Sequence, residues 1–224
     1  MKFALRSVVF AVALVGIYGT ANATALVANV PTASVDSVPA FFGGTLLGSV
    51  STNISNISYN GVARTAVYDT GAGLDFYYQF TNNTSSKNGV ERFSAFDYSG
   101  LGASQVSVFQ TGVGFGIFSN GTEQSDYADR TLAGVIGFNF VPNGASKISP
   151  GFTSFIQIIR TNATSFTAGN FGLLDGIADN AAGFAPTSPV PEPEPYAMIL
   201  AGLGLVGFIV KRRESNHKLI KFYN

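Results

Sequence analysis

Cysteine and tryptophan are absent from the 224 residues, and histidine occurs once, at His217. Without cysteine there is no disulfide framework and no thiolate nucleophile or ligand, so stability has to come from packing. Without a histidine before position 217, Ser-His-Asp and Cys-His catalysis lack their base, and His/Cys zinc sites lack their donors. Charge is also sparse, at 12% Asp, Glu, Lys and Arg, and sums formally to zero. That zero hides a polarity. Lys2 and Arg6 stand at the start, and Lys211, Arg212, Arg213, Lys218 and Lys221 at the end. Between residues 24 and 189, Arg64, Lys87, Arg92, Arg130, Lys147 and Arg160 face ten Asp and Glu. The body of the chain is mildly acidic, which argues against nucleic acid as a partner.

Glycine and β-formers are plentiful, with 26 Gly and 20 Phe. Residues 74–80 alternate, with Leu74, Phe76, Tyr78 and Phe80 on one face and Asp75, Tyr77 and Gln79 on the other. Segments 63–68, 90–96, 104–110 and 134–141 carry strand signals as well. Residues 154–161 are apolar on both faces and read as a central strand. Period two with turn clusters every eight to twelve residues predicts an all-β fold, a single β-sandwich of jelly-roll or barrel type. Residues 112–116, Gly-Val-Gly-Phe-Gly, read as a bent or bulged strand, since no helix signal follows them. A domain of about 160 residues can bury roughly 70% of its unfolded surface, enough for one core.

The remaining chemistry in the body is carboxylate chemistry. Glu123, Asp126 and Asp129 cluster in what reads as a polar loop, as candidates for a calcium site or as an ordinary solvated surface. Asp175 and Asp179 precede Gly176 and Asn180, a setting for turns; a carboxylate-only hydrolase is the catalytic alternative. Asn-x-Ser/Thr sequons, among them those at Asn53, Asn56, Asn83, Asn120 and Asn162, fit a polar chain rich in Ser, Thr and Asn.

Both ends read as targeting segments. Residues 1–23 have a cationic start, an apolar stretch from 8 to 18, and the small-residue site Ala21-Asn22-Ala23, as in a secretory signal peptide. Residues 24–185 are the expected exported β-rich domain, and 186–195 a proline-rich linker. Pro191-Glu192-Pro193-Glu194-Pro195 is expected to be extended and solvated. Residues 196–213 form an apolar segment closed by Lys211, Arg212 and Arg213. Its uncharged run, 197–210, would make a helix of roughly 21 Å against about 30 Å of hydrocarbon, which the basic side chains extend by snorkelling. Clustered Lys and Arg stay on the cytoplasmic side, which leaves residues 214–224 as a cytoplasmic stub. The pattern Gly-Leu-Gly-Leu-Val-Gly at 202–207 matches a dinucleotide fingerprint, but prolines precede it where a strand is needed.

Val190, Pro191, Glu192 and Pro193, the Gly/Leu-rich apolar segment at 201–208 and the basic cluster at 211–213 together resemble the PEP-CTERM sorting signal. That tail is also catalogued as the ice-binding protein C-terminal domain. The resemblance covers about the last 35 residues. It implies a Gram-negative bacterium that makes exopolysaccharide, transient anchoring in the inner membrane, and cleavage by an exosortase at or near Pro191-Glu192-Pro193. Ice binding calls for a flat regular array such as Thr-x-Thr repeats, and the sequence contains none. The expected role is non-enzymatic: a structural or adhesive protein of the envelope, the exopolysaccharide matrix or a biofilm, needing no cofactor. Its partners would be signal peptidase, the exosortase and exopolysaccharide. A carbohydrate- or calcium-binding module is the alternative. If Ala21 and Ala23 define the leader site, N-terminal sequencing of the exported protein should begin at Thr24; a start at Met1 would refute it.

Overall fold

The computed structural model describes residues 24–30, 33–140, 147–187 and 203–206. Thirteen strands are present among them: β1 (Thr24–Ala25), β2 (Ala33–Ser34), β3 (Asp36–Ser37), β4 (Thr45–Ser55), β5 (Asn60–Asp69), β6 (Leu74–Asn82), β7 (Arg92–Ala95), β8 (Val106–Thr111), β9 (Tyr127–Arg130), β10 (Ile136–Asn139), β11 (Ile156–Thr161), β12 (Phe166–Asp175) and β13 (Ile177–Pro186). They form two sheets. One has the order β1-β8-β11-β6-β5-β4, with β3 also lying against β8; the other has the order β13-β12-β7-β10-β9-β2. Every pairing is antiparallel except β3 with β8. Among the described residues neither sheet closes on itself, so the fold is the expected sandwich rather than a barrel.

The main core lies between the sheets. Phe76, Tyr78 and Phe80 of β6 and Val106 and Val108 of β8 meet Phe93, Ile136, Phe138, Phe171 and Leu173 from the opposing sheet. Phe93 packs edge-on against Phe140 and Phe171, with ring centroids 4.8 and 4.9 Å away. The buried Tyr78 and Tyr98 hydroxyls share a hydrogen bond of 2.9 Å, which satisfies polar atoms that burial would otherwise leave costly.

The other face of the larger sheet is covered as well. Ala66, Tyr68, Tyr77, Phe109, Ile156 and Ile158 form a second cluster, with Val38, Phe41, Phe42, Phe115, Ile117 and Phe118 packed over it. This corrects the reading of residues 112–116 as a strand. They form a loop, because Phe115 and Phe118 are drawn onto the sheet: Phe115 stacks on Phe41 at 4.1 Å and meets Tyr77 edge-on at 5.4 Å. Gly116, at φ +55°, supplies the turn between them. The segment read as a polar loop around residue 126 likewise contains β9. The last strand runs to Pro186, one residue past the expected boundary at 185.

Phe93 has no exposed surface and packs against Phe140 and Phe171 in the main core, so Phe93→Ala should cost about 3–5 kcal/mol. Leu132→Ala, at a residue 72% exposed, should leave stability nearly unchanged. Urea unfolding of the exported domain distinguishes the two.

Candidate functional site

The structure places most of the charged candidates in specific side-chain contacts, whereas Asp126 Oδ2 is buried with no hydrogen-bond partner among the described residues. Asp129 sits on β9 opposite Gly137 of β10, and the side chain of Arg92 from β7 reaches across that glycine. A Cβ at position 137 would stand 1.8 Å from Arg92 Nη2, so only glycine leaves the path open. Arg92 Nη1 and Nη2 donate to Asp129 Oδ2 and Oδ1 at 2.5 and 2.8 Å, and Asn139 Nδ2 donates to Oδ2 at 2.8 Å. Burial pushes the Asp129 carboxyl up, but the hydrogen bonds from Arg92 and Asn139 and the Arg92 charge together hold it below its ordinary value.

On the outer face of the larger sheet, Arg160 of β11 grips Asp75 of β6 through Nε to Oδ1 at 3.0 Å and Nη2 to Oδ2 at 2.8 Å. The Phe42 ring covers the guanidinium at 4.0 Å, a cation–π contact. Asp75 is fully buried, and desolvation raises its pKa despite Arg160 and the Tyr77 hydroxyl. At the far end of the sandwich, Lys147 Nζ bridges Glu91 at 2.5 Å and Asp175 at 3.2 Å, while Ser58 Oγ donates to Asp175 at 2.6 Å. Asp179 accepts from Asn56 Nδ2 at 3.3 Å. Arg130 is buried and donates to the Tyr98 and Leu101 carbonyls at 2.6 and 2.5 Å, fastening loop 98–102 to β9.

These contacts decide the calcium candidates. The carboxylate of Asp129 is taken by Arg92 and Asn139. Glu123 and Asp126 use their amides on the Thr153 and Asn139 carbonyls, and burial raises the Glu123 pKa. Among the described residues no group of three or more His, Cys, Asp or Glu side chains could hold a metal ion, so the trio is not gathered into a site. Asp175 sits at a turn, as expected, but Asp179 lies within β13, because the turn at Gly176 joins two ten-residue strands.

Three shallow depressions adjoin at one end of the sandwich, of about 340, 320 and 240 Å³. Phe42, Thr70, Ala72 and Arg160 line the first; Ala72, Ala163 and Thr164 connect it to the others. Thr187, the last described residue of the sandwich, lies there, and its amide donates to the Ser165 carbonyl beside the third depression. Neither this end nor the buried role of Arg130 carried a sequence signal, because both depend on which loops the sandwich brings together.

The residues singled out at the two termini lie outside the described ones: Ala21 and Ala23; Val190, Pro191, Glu192 and Pro193; and Lys211, Arg212 and Arg213. Of the expected sorting helix only residues 203–206 are described, and they are helical. Among the described residues no helix is long and apolar enough to cross a membrane. Residues 189–213 match the family model of the PEP-CTERM protein-sorting motif. The chain therefore carries the sorting motif of an exported protein, held in the membrane until an exosortase processes it. No curated protein and no solved structure matches the chain.

The Asp129 pair predicts an acid dependence. A carboxyl held below its unfolded-state pKa contributes stability above that value and loses it as pH falls through the folded-state value. Wild type should therefore lose this contribution as pH drops below the ordinary Asp value of 3.8. Asp129→Asn should be less stable at neutral pH and should lose less on acidification; thermal melts from about pH 7 to about pH 3 read the difference. Parallel curves for the two proteins would remove Asp129 from the acid limb.

Proposed function

We propose that the protein is a non-enzymatic structural or adhesive component of the exopolysaccharide matrix of a Gram-negative bacterium. It is delivered there by signal peptidase at its leader and by an exosortase at its tail. The observation that carries this reading is the position of the sorting motif, which begins at residue 189, two residues after Thr187 leaves the sandwich. A folded β-domain joined so closely to a sorting segment is cargo. The charged residues support the non-enzymatic part: Asp75, Asp129 and Asp175 each have a cationic partner, which leaves none of them as a free acid or base. The depressions beside Phe42 and Arg160 offer an aromatic ring and a guanidinium to a sugar chain.

The test separates insertion from processing. Pro191→Ala, Glu192→Ala and Pro193→Ala together leave the apolar segment and Lys211, Arg212 and Arg213 untouched. Membrane insertion should persist and processing should fail, because the carboxylate and the proline-stiffened backbone are both removed. In an exosortase-bearing host the triple variant should stay in the inner membrane at full length, while wild type appears shortened and beyond it. Equal size and location would make the tail a plain anchor. Polysaccharide pull-down of the shortened form tests the matrix role, and recovery of the protein wholly free of polymer would count against it.

A further inference from the structure

A sandwich of two open sheets has four edges, and here three of them are blunted. β1 and β3 divide the outer edge of β8 between them, at two residues each, and β2 is also two residues long. β13 is long, but its Ala182 and Phe184 carbonyls accept from Thr65 Oγ1 and from Tyr78 Oη, and it carries Asp179 and Pro186. Short strands, side-chain capping, charge and proline are how proteins keep an edge from pairing.

β4 has none of these. It runs eleven residues, Thr-Leu-Leu-Gly-Ser-Val-Ser-Thr-Asn-Ile-Ser, without a charge or a proline. Among the described residues only β5 pairs with it. The bond from the Asn56 amide to the Tyr59 carbonyl closes the β4–β5 hairpin. The β4–β5 register shifts between Leu46 and Gly48, and past that bulge alternation from the Asn56 bond directs the even-numbered backbone groups of β4 to β5 and leaves those of Ser49, Ser51, Asn53 and Ser55 at the open edge. The side chains of these four residues are exposed, small and uncharged. The strand also has exposed apolar residues at both ends: Leu46 and Leu47, 49% and 44% exposed, at the start, and Ile57, 77% exposed, just past the other end.

We propose that β4 pairs antiparallel with β4 of a second copy of this chain, joining two seven-stranded sheets into one. Pairing about Thr52 sets Ser51 opposite Asn53 and Ser49 opposite Ser55, so edge-facing amides meet edge-facing carbonyls. The same register brings the Leu46–Leu47 end of each copy beside Ile57 of the other, twice over, as two-fold symmetry requires. This goes beyond the sorting reading and does not depend on it.

The absence of cysteine makes an introduced thiol a unique probe. Among the described residues all strands and both hydrophobic clusters lie between residues 24 and 187, so that segment is tested alongside the processed protein recovered from the host. Sedimentation should show wild-type dimer. Ser49→Lys with Ser51→Lys, and separately Ile57→Asp, should shift it to monomer with the thermal melt retained, since all three side chains are exposed. Thr52→Cys should cross-link to a covalent dimer under mild oxidation, and Leu132→Cys, on a remote exposed loop, should not. A wild type that stays monomeric at its solubility limit overturns the proposal. So does a dimer that survives both charge variants, or one that fails to cross-link at position 52. Failure here leaves processing at the tail intact, which the fractionation experiment reads independently.

Discussion

Strand β6 hides both of its faces, and the rest of the domain is arranged to make that possible. Leu74, Phe76, Tyr78 and Phe80 require a second sheet above them, and Tyr77 with its neighbours Ile156 and Ile158 requires a cover below. An antiparallel sheet commonly leaves one face to solvent. Here the lower cover is two loops, around Phe41–Phe42 and Phe115–Phe118, which stack on each other as well as on the sheet. Aromatic rings suit the task because each buries a large area and holds few rotamers.

Burying the lower face brings polar residues with it, and each needs a partner. Asp75 takes Arg160, and the amide of Gln79 bonds the Ser119 backbone in both directions, donating at 2.7 Å and accepting at 2.9 Å. The inter-sheet side has its own set, in which Gln110, Gln157 and Ser125 bond one another. These contacts fix where the loops lie as well as satisfying buried atoms. Breaking one would leave the other member unpaired in a dry place, so the loops are held by the cost of releasing them.

The sequence made the inter-sheet half of this legible and left the other half hidden. Alternation at 74–80, 104–110 and 134–141 identifies inward residues correctly, because one buried face imposes period two. The same alternation assigns Asp75, Tyr77 and Gln79 to the outside, and no local pattern says that distant loops will cover them. β4 went unread for a related reason: an edge strand with one open side can use Ser and Thr where a central strand uses Val and Ile. β12 and β13 are rich in Gly, Ala and Asn, which reads as loop until their ten-residue register is seen. The calcium candidates looked clustered in sequence, but only Asp129 lies on β9, and its carboxylate is taken by an arginine two strands away. The sorting motif at 189–213, by contrast, was legible, because its meaning lies in linear order and needs no fold.

The chain exits the sandwich at Thr187, beside the depressions and the start of β4, and the hairpin at Gly176 marks the opposite end. Tails held in one membrane would stand all copies the same way up. Antiparallel union of two β4 strands puts the two exits at opposite ends, separated along a strand of about 37 Å. Tethered neighbours would have to tip over within the reach of their linkers to join, so cutting the tail would favour assembly by freeing each molecule to turn.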